Sequence, residues 1–189
     1  MNKQDKEKVF QVCKLYYQKA YDNIMSMATI VGMDKKNKVD VKTVTLAFDL
    51  VMQFSMLQIA TSDEDLDKDE ILFIRDLTHH DSLMEIFNKT GQKTLSWDKL
   101  LKADTKSLKE LLAKYEPEFV KLSKEFTNIF AFIDANTRHN YTLDFKNQVN
   151  EIMEGLAKID GKEDYKESKK SSVMKKALSN IEKMKKKME

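Results

Sequence analysis

An all-α fold, a single compact helical domain of roughly eight helices, is what this sequence predicts. Three observations carry it. Apolar residues recur in steps of three and four along nearly every segment, the period of a helix face. No segment shows the alternation of a half-buried strand. The 189 residues contain four Gly and one Pro, too few turn formers for the many reversals of a sheet protein. Hydrophobic residues make up 41%, enough to build a core.

Each element follows from its own pattern. Val9, Cys13, Tyr16, Ala20, Ile24, Met27 and Val31 form the apolar stripe of a first helix, with Gly32 as its stop signal. Met33 to Lys38 reads as a loop, and Asp40 as the N-cap of the next helix. That helix, Val41 to about Thr61, is apolar nearly all round, as in the centre of a core. Its polar residues Thr45, Asp49 and Gln53 lie four apart and are expected to form a narrow strip that meets water.

An acidic turn follows, then a helix with Ile71, Leu72, Ile74 and Leu77, broken at His79, His80 and Asp81. Ser82 to Asn88 makes another turn or two, closed near Gly91. Ser96 caps a short helix with Trp97, Leu100 and Leu101, and Asp104 opens a longer one with Leu108, Leu111 and Leu112. Pro117 cannot sit deep in a helix without a kink, so it is expected at the first turn of a new helix bearing Phe119, Phe126, Ile129, Phe130 and Ile133. Asp134 to Asn140 reads as a polar loop. Phe145, Val149, Ile152, Leu156 and Ile159 then mark a helix that ends in a second acidic turn, before a Lys-rich terminal helix.

Composition bounds the function. No run of residues reaches the ~18 consecutive apolar positions of a membrane span, and the N-terminus has no signal-like stretch. A cytoplasmic protein with no transmembrane segment is the expectation, and the lone Cys13 fits a reducing compartment. The net charge is +2. Arg75 and Arg138 are the only arginines, and Arg supplies the bidentate contacts that read phosphates and bases. No specific nucleic-acid partner is expected.

One pattern occurs twice. Ala60, Asp63, Asp67 and Glu70 are matched by Ala157, Asp160, Asp164 and Glu167 at the same spacing. Asp67 with Glu70, and Asp164 with Glu167, have the spacing of a capping box, which needs no ligand. The alternative is a cation. Asp63, Asp65, Asp67, Asp69 and Glu70 are five of the six carboxylates crowded into eight residues, and a hard divalent cation (calcium or magnesium) would relieve their repulsion. An EF-hand is excluded, because the sixth position from Asp63 is Lys68 and the twelfth is Ile74.

An apolar helix, then Ala-x-x-Asp-Gly, then Glu seven after the Asp, occurring twice in a helical domain, resembles the TerB-like tellurite-resistance family. The second copy, Ala157-Lys158-Ile159-Asp160-Gly161 with Glu167, matches better. In the first, Glu64 stands where the family has Gly and Ser62 precedes the Asp. The resemblance covers residues 40–165, with an insertion near 79–116, preceded by an N-terminal helix and loop over 1–39. It implies a bacterial, non-enzymatic, stress-linked protein in which Asp63, Asp67, Glu70, Asp160, Asp164 and Glu167 bind metal.

The terminal segment, 166–189, carries nine lysines against three glutamates, with Val173, Met174, Ala177, Leu178, Ile181, Met184 and Met188 on one stripe. A basic amphipathic helix can dock a protein partner or lie on an anionic membrane as a peripheral contact. It can equally pack on its own core with lysines in water. A protein partner or self-association is therefore expected without a named surface. No nucleophile is singled out: Cys13 lies on an apolar stripe, His79, His80 and His139 read as loop residues, and phosphate-binding glycines are absent.

Overall fold

The second helix organises the molecule because fifteen of its twenty side chains are buried. The computed structural model describes residues 1–33, 39–62, 66–78, 82–90, 95–137, 139–160 and 172–188. The described residues form nine helices and no strand: α1 (Lys3–Met33), α2 (Val41–Ala60), α3 (Lys68–Leu77), α4 (Ser82–Thr90), α5 (Trp97–Leu100), α6 (Thr105–Leu122), α7 (Lys124–Asn136), α8 (Tyr141–Asp160) and α9 (Val173–Met188). α2 packs against α1, α3, α4, α6, α7, α8 and α9.

Two aromatic groups show how α2 serves opposite sides at once. Phe48 meets Tyr17, Tyr21, Phe126 and Phe145 with ring centroids 5.4 to 6.4 Å away. Phe54, six residues on and therefore on another face, stacks on Phe119 at 4.0 Å and lies 6.5 Å from Phe87. By length and composition α2 could cross a bilayer, with a mean hydropathy of 1.4, yet 83% of that stretch is buried inside the fold.

The polar strip of α2 does not meet water, which corrects the expectation for Thr45, Asp49 and Gln53. All three are buried, the last two completely. Thr45 turns back on its own helix, its hydroxyl donating to the Val41 and Lys42 carbonyls, and the other polar groups make joints. The Tyr17 hydroxyl of α1 donates to Asp49, and Gln53 donates to the Thr78 hydroxyl just past α3. Ser55 Oγ accepts from Met174 N at 2.9 Å, and Gln58 Oε1 accepts from Val173 N at 2.9 Å. Periodicity reports which positions differ from their neighbours, and it cannot say whether a polar stripe faces solvent or a partner. Tyr17→Phe is expected to cost roughly 1.5–3 kcal/mol, the worth of a buried bond to an acidic side chain. Urea denaturation measures it, and a loss below half a kcal/mol would show that this joint is unimportant.

Three helix boundaries also differ from expectation. Pro117 lies inside α6, not at the start of a helix. The ring removes one donor, but the residue that loses its partner, Ala113, is exposed, so water can serve its carbonyl. The break falls at Ser123 instead. Gly32 is still helical, since α1 runs to Met33; what favours Gly there is the Val39 carbonyl, 3.2 Å from where a Cβ would lie. Asp134 belongs to α7 rather than to a loop. It is buried and accepts from the Tyr141 and Thr142 backbone N–H groups at 2.8 and 3.2 Å, so it caps α8 from the preceding helix.

The expected caps are in place. Asp40 accepts from Lys42 N, Ser96 from Lys99 N and Asp104 from Ser107 N. The Thr43 hydroxyl holds the Asp40 carboxyl below the ordinary carboxylate range, and Ser107 does the same to Asp104. With the native carboxyls the stronger acids, their contribution is present above the ordinary carboxylate pKa and is lost as pH falls.

α1 and α8 approach so closely that a side chain is excluded between them. A Cβ added at Gly155 would overlap Cys13 Sγ, far inside van der Waals contact. Gly155→Ala is therefore expected to destabilise by about 1–3 kcal/mol through overpacking. Helix propensity alone predicts a gain of about 1 kcal/mol, so the sign of the change in thermal denaturation is decisive. In a Cys13→Ala background the added methyl has room, and the cost should shrink.

Candidate functional site

The first acidic turn is built as a helix start. Asp67 Oδ1 accepts from Asp69 N at 2.8 Å, and Glu70 Oε2 accepts from Asp67 N at 3.2 Å, completing the capping box. Glu70 is buried, while Asp69 reaches outward to Lys6 Nζ at 2.5 Å. A calcium ion takes six to eight oxygens. Asp67 and Glu70 alone fall well short of that, and each already spends an oxygen on a backbone donor. Asp63 and Asp65 lie outside the described residues, as do Asp164 and Glu167. Asp160 ends α8, and its side chain is not among those described. Among the described residues no three His, Cys, Asp or Glu side chains converge on a metal-sized space.

The basic terminal helix is docked. Val173, Met174, Ala177, Leu178 and Ile181 of α9 are buried, against α7, α2, α6 and α8. Its first turn is closed by α2: Ser55 and Gln58 take the Met174 and Val173 N–H groups, while Ser172 Oγ takes Lys175 N at 3.3 Å. Lys175, Lys176, Lys183, Lys186 and Lys187 face outward, and Lys185 is half-buried. Lys176 pairs with Glu116, and Lys185 lies 3.9 Å from Asp134. Lys146 of α8 pairs with Glu182 at 2.9 Å. Membrane contact or partner docking through the apolar stripe of α9 would thus require pulling five buried side chains out of the core. Beside α9 lies a space of about 410 Å³ with Val149, Met153, Met174 and Leu178 on its wall and the Lys146–Glu182 pair on its lining.

Cys13 has no features of a nucleophile. It is 1% exposed, its thiol points at the Glu151 and Ile152 carbonyls, and burial pushes its pKa up to about 12. The thiolate, which is the reactive form, is scarce at neutral pH. His139 is an exposed loop residue whose Nε2 lies 2.7 Å from Asp144 Oδ2. His79 and His80 lie outside the described residues.

The unexplained surface is on α1. Eight large apolar side chains are exposed among the described residues, and five belong to this helix: Val12, Leu15, Met25, Ile30 and Met33. Met33 is 76% exposed, and Val12, Leu15 and Ile30 are each more than half exposed. At about 100° per residue, Val12, Leu15, Ile30 and Met33 fall within one narrow sector, nearly opposite the buried face of Cys13, Tyr17, Ala20, Ile24 and Val31. Sequence reasoning found the buried stripe and stopped there. The signal for the second was present, as two pairs with the same three-residue step, but a helix with two apolar faces can be read only after one face is known to be buried.

Comparison with family models, with curated proteins and with solved structures found no match to this chain.

Proposed function

We infer that this chain is a helical protein-interaction domain that works by docking, without chemistry of its own, and that the docking face is the outward side of α1. The observation that carries this is the exposure of Val12, Leu15, Ile30 and Met33 on one line of a 31-residue helix. Single exposed apolar residues are ordinary, whereas grouped ones mark contact sites. The alternative docking face on the terminal helix has its apolar stripe committed to the core. The buried, protonated Cys13 adds support, since it removes the lone thiol from the candidate nucleophiles.

Chemical cross-linking in cell extract tests the inference, comparing the natural chain with Leu15→Glu and Ile30→Glu. Both positions are exposed, so both variants should fold and lose the cross-linked species. Unchanged cross-linking in the two variants would sink it. The TerB-like likeness stands beside this as a proposal resting on the doubled acidic spacing; calorimetric titration with calcium and magnesium tests that part separately.

A further inference from the structure

A slot runs along α9 on its α8 side, and the docking role inferred above does not use it. Lys146, Val149, Asn150 and Met153 have the i, i+3, i+4, i+7 spacing of one face of α8, and Lys175, Leu178, Ser179 and Glu182 have the same spacing on α9. The space lined by these two faces is about 410 Å³, within the size range of small-molecule sites. Its wall is apolar, because Val149, Met153, Met174 and Leu178 are all buried. Ile59 of α2 and Ser172 line it near the start of α9. About two turns further along, Lys146 of α8 pairs with Glu182 of α9 at 2.9 Å.

The charges on the lining select the ligand. Lys146, Lys175 and Glu182 are its charged side chains. Lys146 and Glu182 neutralise each other. Lys175 is exposed and has no ion-pair partner among the described residues. One uncompensated positive charge thus stands beside an apolar wall. The start of α9 adds no donors, since the Val173, Met174 and Lys175 N–H groups already serve Gln58, Ser55 and Ser172. We propose that this slot binds a small amphipathic monoanion, a single medium-length alkyl chain ending in a carboxylate. The chain lies along Val149, Met153, Met174 and Leu178, and the carboxylate pairs with Lys175. At about 30 Å³ for each water-sized group, the space takes roughly a dozen heavy atoms. That admits one such chain and excludes the two tails of a bilayer lipid.

Titration calorimetry of the full chain with acetate, hexanoate, octanoate and decanoate, below micelle-forming concentrations, tests this. The three longer acids should bind saturably at one site, each added methylene tightening binding roughly fourfold until the slot is full. Acetate should not bind. Lys175→Glu should weaken octanoate by roughly tenfold and leave neutral octanol unchanged. Ser179→Trp, at a half-buried lining position, should block both, with a melting curve to check that it folds. If it does not fold, Lys175→Glu carries the test, because that side chain is already in water. Leu15→Glu, on the α1 face, should bind octanoate like the natural chain, so this site and the docking face fail or stand separately. Equal affinity for acetate and decanoate would mean an adventitious ion only and overturn the proposal. So would the absence of saturable binding up to millimolar acid, or octanoate bound equally by the natural chain and Lys175→Glu. Co-sedimentation with phosphatidylglycerol vesicles by a chain that ignores decanoate would overturn it in favour of a bilayer surface.

Discussion

Truncation after Ser172 is expected to abolish cooperative folding. It removes Val173, Met174, Leu178 and Ile181, each at most 8% exposed. Burying a side chain of this size stabilises by roughly 1.5–3 kcal/mol, so the four together rival the about 5–15 kcal/mol that holds a whole domain folded. The loss is compounded at α2. Ser55 and Gln58 would lose the α9 N–H groups they accept from, leaving polar atoms facing an opened apolar surface. Circular dichroism melting and limited proteolysis of the shortened chain measure this. A sharp transition within a few degrees of the full chain would mean that α9 is an appendage, and would restore it as a free recognition helix.

The second large effect is expected from Phe48→Ala, at about 3–5 kcal/mol. Phe48 is fully buried and is the ring shared by α1, α7 and α8, through Tyr17, Phe126 and Phe145. Its removal opens a cavity between elements that are far apart in sequence and cannot collapse independently. Urea denaturation should show a lower midpoint with an unchanged slope, the mark of altered stability with the same surface exposed. A loss under 1 kcal/mol would show that the surrounding helices close over the gap, and that the aromatic group is not the keystone its geometry describes. Phe54→Ala, on another side of α2, offers a comparison: similar losses would mean that both faces of the central helix are equally needed.

Much of the fold was legible because helices announce themselves locally. The caps at Asp40, Ser96 and Asp104 satisfy backbone donors within three residues, so sequence neighbours suffice to predict them. The capping box of Asp67 and Glu70 is of the same kind. The buried stripe of α1 and the all-round burial of α2 follow from period and composition. The errors share a different character. Pro117 stays within α6 because Phe119 and Tyr115, on either side of it, are anchored in the core. Asp134 is helical because the chain beyond it returns two N–H groups to its carboxylate.

The sequence by itself determined that this is an all-α protein, where most of its helices start, and which residues are apolar enough to build the core. Each of those properties depends on interactions within about one helical turn. Only the tertiary structure decided what the ambiguous residues do. Asp49, Gln53, Ser55 and Gln58 are joints rather than a wet strip, since their partners Tyr17, Thr78, Met174 and Val173 come from elsewhere in the chain. Gly155 is a close-approach point because Cys13 lies against it. Val12, Leu15, Ile30 and Met33 are a surface because the other side of α1 won the competition for the core. A side chain's tendency to leave water is written in its chemistry, but which of two apolar faces is buried depends on the shape of what it packs against.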